Sequence, residues 1–150
     1  MINLFTSRIR YVCCVFLLMM GASAVAKDDD KNVLGQTLAP HTGAQATGFY
    51  RDGYCRTDAR DSGQHAIAAT VTKEFLEFTK SRGNDLQTPR PEYGFQGLKP
   101  GDNWCLCTSR WKEAEEAGVA PPFNLDATHV AALSSVPLET LKKYQKSPAK

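Results

Sequence analysis

Residues 103–118 read NWCLCTSRWKEAEEAG, and this stretch changes its hydrophobic period from two to about 3.6 near its middle. Alternating residues from Asn103 to Cys107 are typical of a short strand that follows the Pro100-Gly101 turn. Thr108 and Ser109 then begin a helix, and Gly118 ends it. The predicted buried face of that helix carries Trp111, Ala114 and Ala117. The stretch therefore predicts a strand followed directly by a helix, with two cysteines on one face of the strand.

A second strand and helix are predicted upstream, where residues 65–83 read HAIAATVTKEFLEFTKSRG. His65 to Val71 alternates as a strand, and Thr72 is a typical N-cap for the helix after it. Phe75 and Phe78 should point inward, and Gly83 should end the helix. The strand and helix order found at residues 103–118 thus occurs here as well.

The C-terminal third predicts a short third strand and two more helices. Phe123 to Leu125 is the strand, Asp126 caps a helix over 127–134, and Pro137 opens a last helix. The inward face of that last helix carries Leu138, Leu141 and Tyr144. We predict a single small α+β domain over residues 33–145, with a short mixed sheet and three or four helices.

Asn84 to Asp102 is a long segment rich in proline and glycine that lacks a helical or strand period. Its Tyr93, Phe95 and Leu98 argue that it packs, because a disordered linker has little use for aromatic residues. We predict an ordered loop that either walls a pocket or covers an edge of the sheet.

The N-terminus has the pattern of an export signal. Arg8 and Arg10 precede an apolar run, and Ala24 and Ala26 form a small-x-small cleavage site. We predict a signal peptide over 1–26, a charged leader over 27–32, and a flexible tail over 146–150. The mature protein should be periplasmic or secreted and free of the membrane after cleavage.

The charge balance argues against nucleic-acid partners. Removal of residues 1–26 lowers the Lys and Arg count from 18 to 16, which equals the number of Asp and Glu. A neutral surface lacks the clustered cations that recognise nucleic acid or anionic lipid. A small molecule or a metal ion remains as the expected partner, and the sequence does not indicate an oligomeric state.

Three cysteines remain in the mature chain, and their odd number leaves at least one thiol unpaired or shared. A structural disulfide would join Cys55 to either Cys105 or Cys107. A direct Cys105–Cys107 bond is awkward on a strand, because alternate Cβ atoms are too far apart, and such a strained bond would suit a redox role. Cys107 directly precedes a helix, whose amide groups favour negative charge, so we expect it to be the more reactive thiol.

A metal site and a polar ligand site are the competing interpretations. Thiolates of Cys55, Cys105 and Cys107 would suit zinc or copper(I), with a histidine completing the set. The candidate histidines are His65, His129 and His41. The polar alternative is an enzyme of unknown reaction that uses loop carboxylates and arginines, although Asp52 beside glycine also fits an ordinary turn and Arg51 a surface network. The candidates are Arg51, Asp52, Asp85, Arg90 and Glu92.

The chain resembles a known bacterial family across about residues 32 to 143. The motifs that carry the resemblance are Asn32-Val33-Leu34-Gly35, Thr47-Gly48-Phe49-Tyr50-Arg51-Asp52-Gly53, Gly83-Asn84-Asp85-Leu86, Thr88-Pro89-Arg90-Pro91-Glu92, Gly97-Leu98-Lys99-Pro100-Gly101-Asp102, Trp104-Cys105-Leu106-Cys107 and Ala127-Thr128-His129. In their order and spacing they resemble the bacterial domain-of-unknown-function family 2237. The resemblance implies a family and assigns no reaction.

Two departures from the family pattern bear on the cysteines. Many members carry cysteine at the positions of His41 and Ala68. If those two cysteines form a disulfide in the family, the loss of one would be expected to accompany the loss of the other. A metal site, by contrast, could tolerate histidine in place of one cysteine. We interpret the chain as an exported domain that binds a small ligand or metal through a thiol-containing site. The alternatives are the enzyme described above and a disulfide-stapled structural or interaction domain.

Overall fold

The computed structural model describes residues 30–146 and shows a small α+β domain, as predicted. Strands β1 and β2 span Ile67–Thr70 and Asn103–Leu106, and helices α1, α2 and α3 span Lys73–Ser81, Thr108–Glu116 and Leu138–Lys143. Two 3₁₀ turns occupy Pro91–Tyr93 and Val130–Ser134. The predicted signal peptide over 1–26, residues 27–29 of the leader and residues 147–150 of the tail lie outside the described part. No helix within residues 30–146 has the length and apolar character needed to cross a membrane.

The sheet is smaller than the predicted mixed sheet. β1 and β2 pair in antiparallel register, with Ile67 opposite Leu106. The expected strand at Phe123–Leu125 contributes only isolated bridges, from Phe123 to Ala69 and to Gln145. Pro121 and Pro122 precede it, and proline has no backbone N–H to donate to a longer ladder.

β2 packs on two separate hydrophobic clusters. Trp104 and Leu106 belong to the main core, whose largest fully buried side chains are Trp111, Phe75 and Phe123. Cys105 belongs to a small second cluster with Cys55, Ala68 and Ala127. This alternation along β2 is the period of two that the sequence shows.

The helices agree with the sequence in position and differ at their ends. The Thr72 hydroxyl caps α1 by accepting a hydrogen bond from the Phe75 N–H at 3.2 Å. α2 ends at Glu116, so Ala117 is exposed, and its prediction as a buried residue was wrong. The predicted helix over 127–134 is only the 3₁₀ turn Val130–Ser134, capped by His129 rather than Asp126. Bridges from Thr128 to Cys55 and from His129 to Asn32 hold the preceding backbone extended.

The segment 84–102 is tied to the rest of the domain by side-chain and core contacts. Phe95 and Leu98 are buried in the main core, whereas Tyr93 is 75% exposed. The Gln45 side chain donates to the Gly97 carbonyl at 3.1 Å and accepts from the Gln96 N–H at 3.1 Å. These contacts fix one edge of the cleft described below.

Candidate functional site

The disulfide joins Cys55 to Cys105, one of the two partners that the sequence left open for Cys55. Both residues are buried, and the Cys105 N–H donates to the Thr47 hydroxyl at 2.8 Å. A Cβ added to Gly48 would lie 3.7 Å from the Cys105 sulfur and only 2.2 Å from the Tyr54 carbonyl oxygen. A side chain at position 48 would therefore overlap the Tyr54 carbonyl, and only glycine fits there.

Cys107 is the free thiol of the described chain, and it lies where strand becomes helix. β2 ends one residue earlier, and Cys107 is the N-cap residue of α2 with φ −55° and ψ 131°. Its side chain makes no capping hydrogen bond and is half-buried. The sulfur is therefore available for another partner.

That partner is His65, which connects the thiol to a buried carboxylate. The Cys107 Sγ lies 3.2 Å from His65 Nε2, and His65 Nδ1 lies 2.7 Å from Asp61 Oδ1. An ionised carboxylate only accepts hydrogen bonds, so Nδ1 carries the proton in this pair and Nε2 faces the sulfur. Cys107, His65 and Asp61 thus have the order of a nucleophile, a base and a group that orients the base.

Asp61 is held so that both of its oxygen atoms are used. Its Oδ2 accepts from the His65 N–H at 2.7 Å and from the Thr57 hydroxyl at 2.9 Å. The Asp61 side chain is 1% exposed, against 34% for that of His65. The imidazole therefore has a fixed anchor on one side and an accessible face on the other.

Gln64 connects the His65 loop to the start of α2. Its backbone has φ +48°, in the left-handed region that residues other than glycine seldom adopt. In this conformation its carbonyl accepts from both the N–H and the hydroxyl of Thr108, each at 3.0 Å. Antiparallel pairing brings the start of β1 close to the end of β2, and the contact between Gln64 and Thr108 fixes His65 opposite Cys107.

Gly63 leaves room for the close approach of His65 and Cys107. A Cβ at this position would lie 2.7 Å from His65 Cε1 and 3.2 Å from the Cys107 sulfur. The first distance is shorter than any normal carbon contact, so a side chain here would displace the imidazole. The close approach of His65 to Cys107 therefore requires glycine at position 63.

The pair is electrostatically coupled. The hydrogen bond to Cys107 raises the pKa of His65 to about 9, with Asp61 adding to the effect and burial opposing it. Burial opposes ionisation of Asp61, but hydrogen bonds from the His65 N–H, the His65 ring and Thr57 together lower its pKa. His65 is thus held as an imidazolium at neutral pH, and its positive charge lies 3.2 Å from the Cys107 sulfur.

A cleft of about 320 Å³ adjoins the pair, and His65 forms part of its wall. Phe49 stacks on the imidazole, with ring centroids 6.4 Å apart and planes at 23°. Cys107 is not one of the lining residues, but its sulfur lies 3.2 Å from the imidazole that is. The lining residues are Gly48, Phe49, Arg51, His65, Asp85, Leu86, Arg90, Tyr93, Phe95, Trp104 and Cys105.

Three of the five predicted ligand residues, Arg51, Asp85 and Arg90, line this cleft. Asp52 instead forms an ion pair with Arg56 at 2.6 Å. Glu92 is exposed on the 3₁₀ turn and does not line the cleft. The structure thus gathers the two arginines and one carboxylate beside His65.

Of the predicted metal donors, Cys107 and His65 are neighbours, but the other candidates have different partners. Cys55 and Cys105 are consumed by their disulfide, so neither is a thiolate ligand. His129 Nδ1 accepts from the Ala131 N–H at 3.1 Å, and the buried His41 bonds the Ala69 carbonyl through Nε2 at 2.9 Å. Across residues 30–146, no group of three or more His, Cys, Asp and Glu side chains is arranged to hold a metal ion.

Asp61 and Gly63 are the site residues that sequence reasoning missed. Both lie in the irregular loop before β1, where no hydrophobic period marks them. The available signal was local, because Thr57, Asp61 and His65 are spaced four residues apart. His65 itself was singled out, but as a metal ligand rather than as the partner of Cys107.

The chain belongs to a bacterial family. The sequence model of domain-of-unknown-function family 2237, described as an uncharacterised protein conserved in bacteria, matches residues 31–145. The match includes Asp61, His65 and Cys107 and both halves of the disulfide. No curated protein gives a significant match to the chain.

Proposed function

We propose that this protein is a thiol-dependent enzyme that acts on a small molecule bound in the cleft beside His65. The hydrogen-bonded series Cys107–His65–Asp61 carries this proposal. It supplies a nucleophile, an acid–base group and an orienting carboxylate from one loop and one strand end. A purely structural thiol would need neither a buried carboxylate behind its histidine nor a glycine beside it.

The chemistry that suits this arrangement is acyl transfer. The Cys107 thiolate attacks a carbonyl carbon of the substrate, a C–S bond forms, and the bond from that carbon to the leaving group breaks. The His65 imidazolium gives its Nε2 proton to the leaving group. Neutral His65 then takes a proton from water as the water oxygen attacks the thioester, which releases the acid. The C–S bond breaks in this step and its electron pair returns to the Cys107 sulfur as the thiolate, while the proton taken from water restores the His65 imidazolium.

Asp61 acts in this scheme as a positioning residue. Its hydrogen bonds to His65 Nδ1 and to the His65 backbone N–H fix the ring plane and the tautomer. Its negative charge also favours the imidazolium, which the first half-reaction consumes and the second regenerates. The buried disulfide supports the same site from the neighbouring end of β2 by anchoring Cys105.

The proposed activity can be tested with 4-nitrophenyl acetate, an activated ester that needs little specific recognition. We expect a burst of 4-nitrophenolate close to the protein concentration and an acetyl adduct on Cys107 in the intact mass. Cys107→Ser should remove both, and His65→Gln should slow the burst roughly 100-fold. His129→Gln is a matched control, because His129 contacts neither the thiol nor the cleft. Unchanged acetylation in Cys107→Ser would refute the proposal.

Export is the second part of the proposal. The N-terminal sequence supports it, and so does the Cys55–Cys105 disulfide, because such bonds persist mainly in oxidising compartments. The mature enzyme would then work in the periplasm or outside the cell. Intact-mass analysis of the native protein should find a chain that starts near Lys27 and contains one disulfide. A full-length, fully reduced chain from the cytosol would contradict this part.

A further inference from the structure

The arginines of the described chain divide into two groups. Four of the six form ion pairs with carboxylates: Arg56 with Asp52, Arg60 with Asp58, and Arg82 and Arg110 with Glu113. Within residues 30–146 the other two, Arg51 and Arg90, form no such pair, and both line the cleft. Two guanidinium groups without carboxylate partners in one cleft leave it short of negative charge.

Arg51 is held over the cleft by an unusual backbone. Its φ is +56°, in the left-handed region, although it carries a long side chain. Its guanidinium lies 5.0 Å from the centroid of the Trp104 ring and donates to the Ala46 carbonyl at 3.2 Å. Strained residues of this kind persist where the surrounding structure holds them, and they concentrate at ligand sites.

The remaining lining is apolar or already neutralised. Phe49, Tyr93, Phe95 and Trp104 supply aromatic walls. Asp85 is the only carboxylate in the lining, and it lies 3.2 Å from the Lys80 amino group and accepts from the Thr88 hydroxyl at 2.7 Å. Its charge is therefore already partnered, whereas Arg51 and Arg90 have no carboxylate partner within residues 30–146.

We propose that the cleft selects an aromatic or similarly planar acyl compound that carries an anionic group, with Arg51 and Arg90 binding the anion and the aromatic walls binding the planar body. This inference rests on the proposed function for the position of the reacting carbon near His65 and Cys107. A carboxylate and a phosphate both meet the requirement, because each binds two guanidinium groups well.

A matched pair of alkylating probes tests the selection. 4-(Chloroacetamido)benzoate and 4-(chloroacetamido)benzamide differ only in an anionic or a neutral group on the same ring. In each, the Cys107 thiolate displaces chloride, so that a C–S bond forms as the C–Cl bond breaks. We expect the benzoate probe to label Cys107 at least about tenfold faster at neutral pH and low salt.

Arginine variants identify the origin of that preference. Arg51→Gln and Arg90→Gln should each reduce the benzoate-to-benzamide ratio, and the double variant should bring it to about one. The rate with iodoacetamide, a small neutral reagent, is measured in the same variants, so that a general change in thiol reactivity is separated from a change in the ratio. Arg82→Gln is the control, because Arg82 is paired with Glu113 and lies outside the lining. A ratio near one in the unsubstituted protein, or one that survives loss of both arginines, would overturn the inference and leave the reactive thiol intact.

A binding measurement keeps the anion site testable even if the thiol is unreactive. Benzoate should shift the Trp104 indole N–H resonance in a ¹⁵N spectrum, and benzamide at the same concentration should not. Phenyl phosphate in a parallel titration distinguishes the two anions by which one binds more tightly. A benzoate response with an inert Cys107 would refute the proposed enzyme and preserve the anion site. Equal responses to benzoate and benzamide would refute the anion site alone.

Discussion

Cys105 and Cys107 are two residues apart in the sequence, yet they occupy different chemical environments. Cys105 is 1% exposed, is bonded to Cys55, and lies in a small apolar cluster. Cys107 is half-buried, has no disulfide partner in the described chain, and faces an imidazole that is anchored by a carboxylate. One sulfur is part of a buried disulfide, and the other is the thiol for which we propose a chemical role.

The difference comes from where the strand ends. β2 continues through Leu106, so Cys105 is inside the pleated ladder opposite Ala68. Cys107 is the first residue beyond the ladder, where α2 begins and the loop that carries Gly63 and His65 approaches. Each sulfur has its own glycine neighbour, Gly48 at Cys105 and Gly63 at Cys107. A shift of two residues therefore moves a sulfur from the buried disulfide to the vicinity of His65.

The largest expected effect separates the two sulfurs by stability. The disulfide spans a sequence separation of 50 residues, and the loss of a crosslink over such a loop costs about 4 kcal/mol in the chain-entropy description. Cys55→Ala combined with Cys105→Ala should therefore lower the free energy of unfolding by about that amount. Cys107→Ala should cost less than about 1 kcal/mol. Urea denaturation followed by circular dichroism measures both changes in the free energy of unfolding. Equal losses in the two variants would show that Cys107 contributes as much to stability as the disulfide does.

The next effect concerns the charge on His65. The pKa of His65 should be about 9, and Cys107→Ser should lower it, because the bond to Cys107 is the largest cause of the shift. The pKa of His65 is higher in the folded protein than its ordinary value of 6.5. The stability that this shift contributes to the folded state is therefore fully present below pH 6.5 and is lost as the pH rises through about 9. An NMR titration of the histidine ring protons provides the values.

His129 is an internal control in the same spectra. Burial lowers its pKa, and it does not contact Cys107, so its titration should be the same in both proteins. A His65 pKa that stays near 9 in Cys107→Ser would show that the thiol is not its partner.

A smaller effect tests the steric side of the comparison. Gly63→Ala should displace the imidazole from Cys107 and reduce the alkylation rate of the thiol about tenfold, while the disulfide stays intact. The neighbouring Ser62 is exposed, so Ser62→Ala is a matched control with no expected effect. Iodoacetamide kinetics followed by peptide mass spectrometry measures the rate. An unchanged rate in Gly63→Ala would mean that the close packing at Gly63 has no chemical role.

The sequence predicted the elements that depend on local pattern. The Thr72 cap, the helix that contains Trp111 and the alternation of Trp104, Cys105 and Leu106 all follow from short-range periodicity and capping chemistry. The predictions of a third strand at Phe123 and of a helix over 127–134 were wrong for a different reason. Bridges to Ala69, Gln145, Cys55 and Asn32 decide the backbone there, and these partners are distant in sequence.

The site was predictable only in part for the same reason. Cys107 could be singled out from its position before a helix, and Cys55 from the odd number of cysteines. Asp61 and Gly63 act through contacts between an irregular loop and the end of β2, which no spacing rule reports. His65 was recognised as chemically capable, but its role depends on a neighbour 42 residues away.

The central claim is that Cys107 is the reactive thiol while Cys55 and Cys105 are locked together, and differential alkylation of the native protein tests it most directly. Unreduced, folded protein is treated briefly with iodoacetamide at neutral pH, then denatured, reduced and treated with a heavy-isotope form of the reagent. We predict the light label on Cys107 and only the heavy label on Cys55 and Cys105. A heavy label on Cys107, or a light label on either of the other two, would contradict the account.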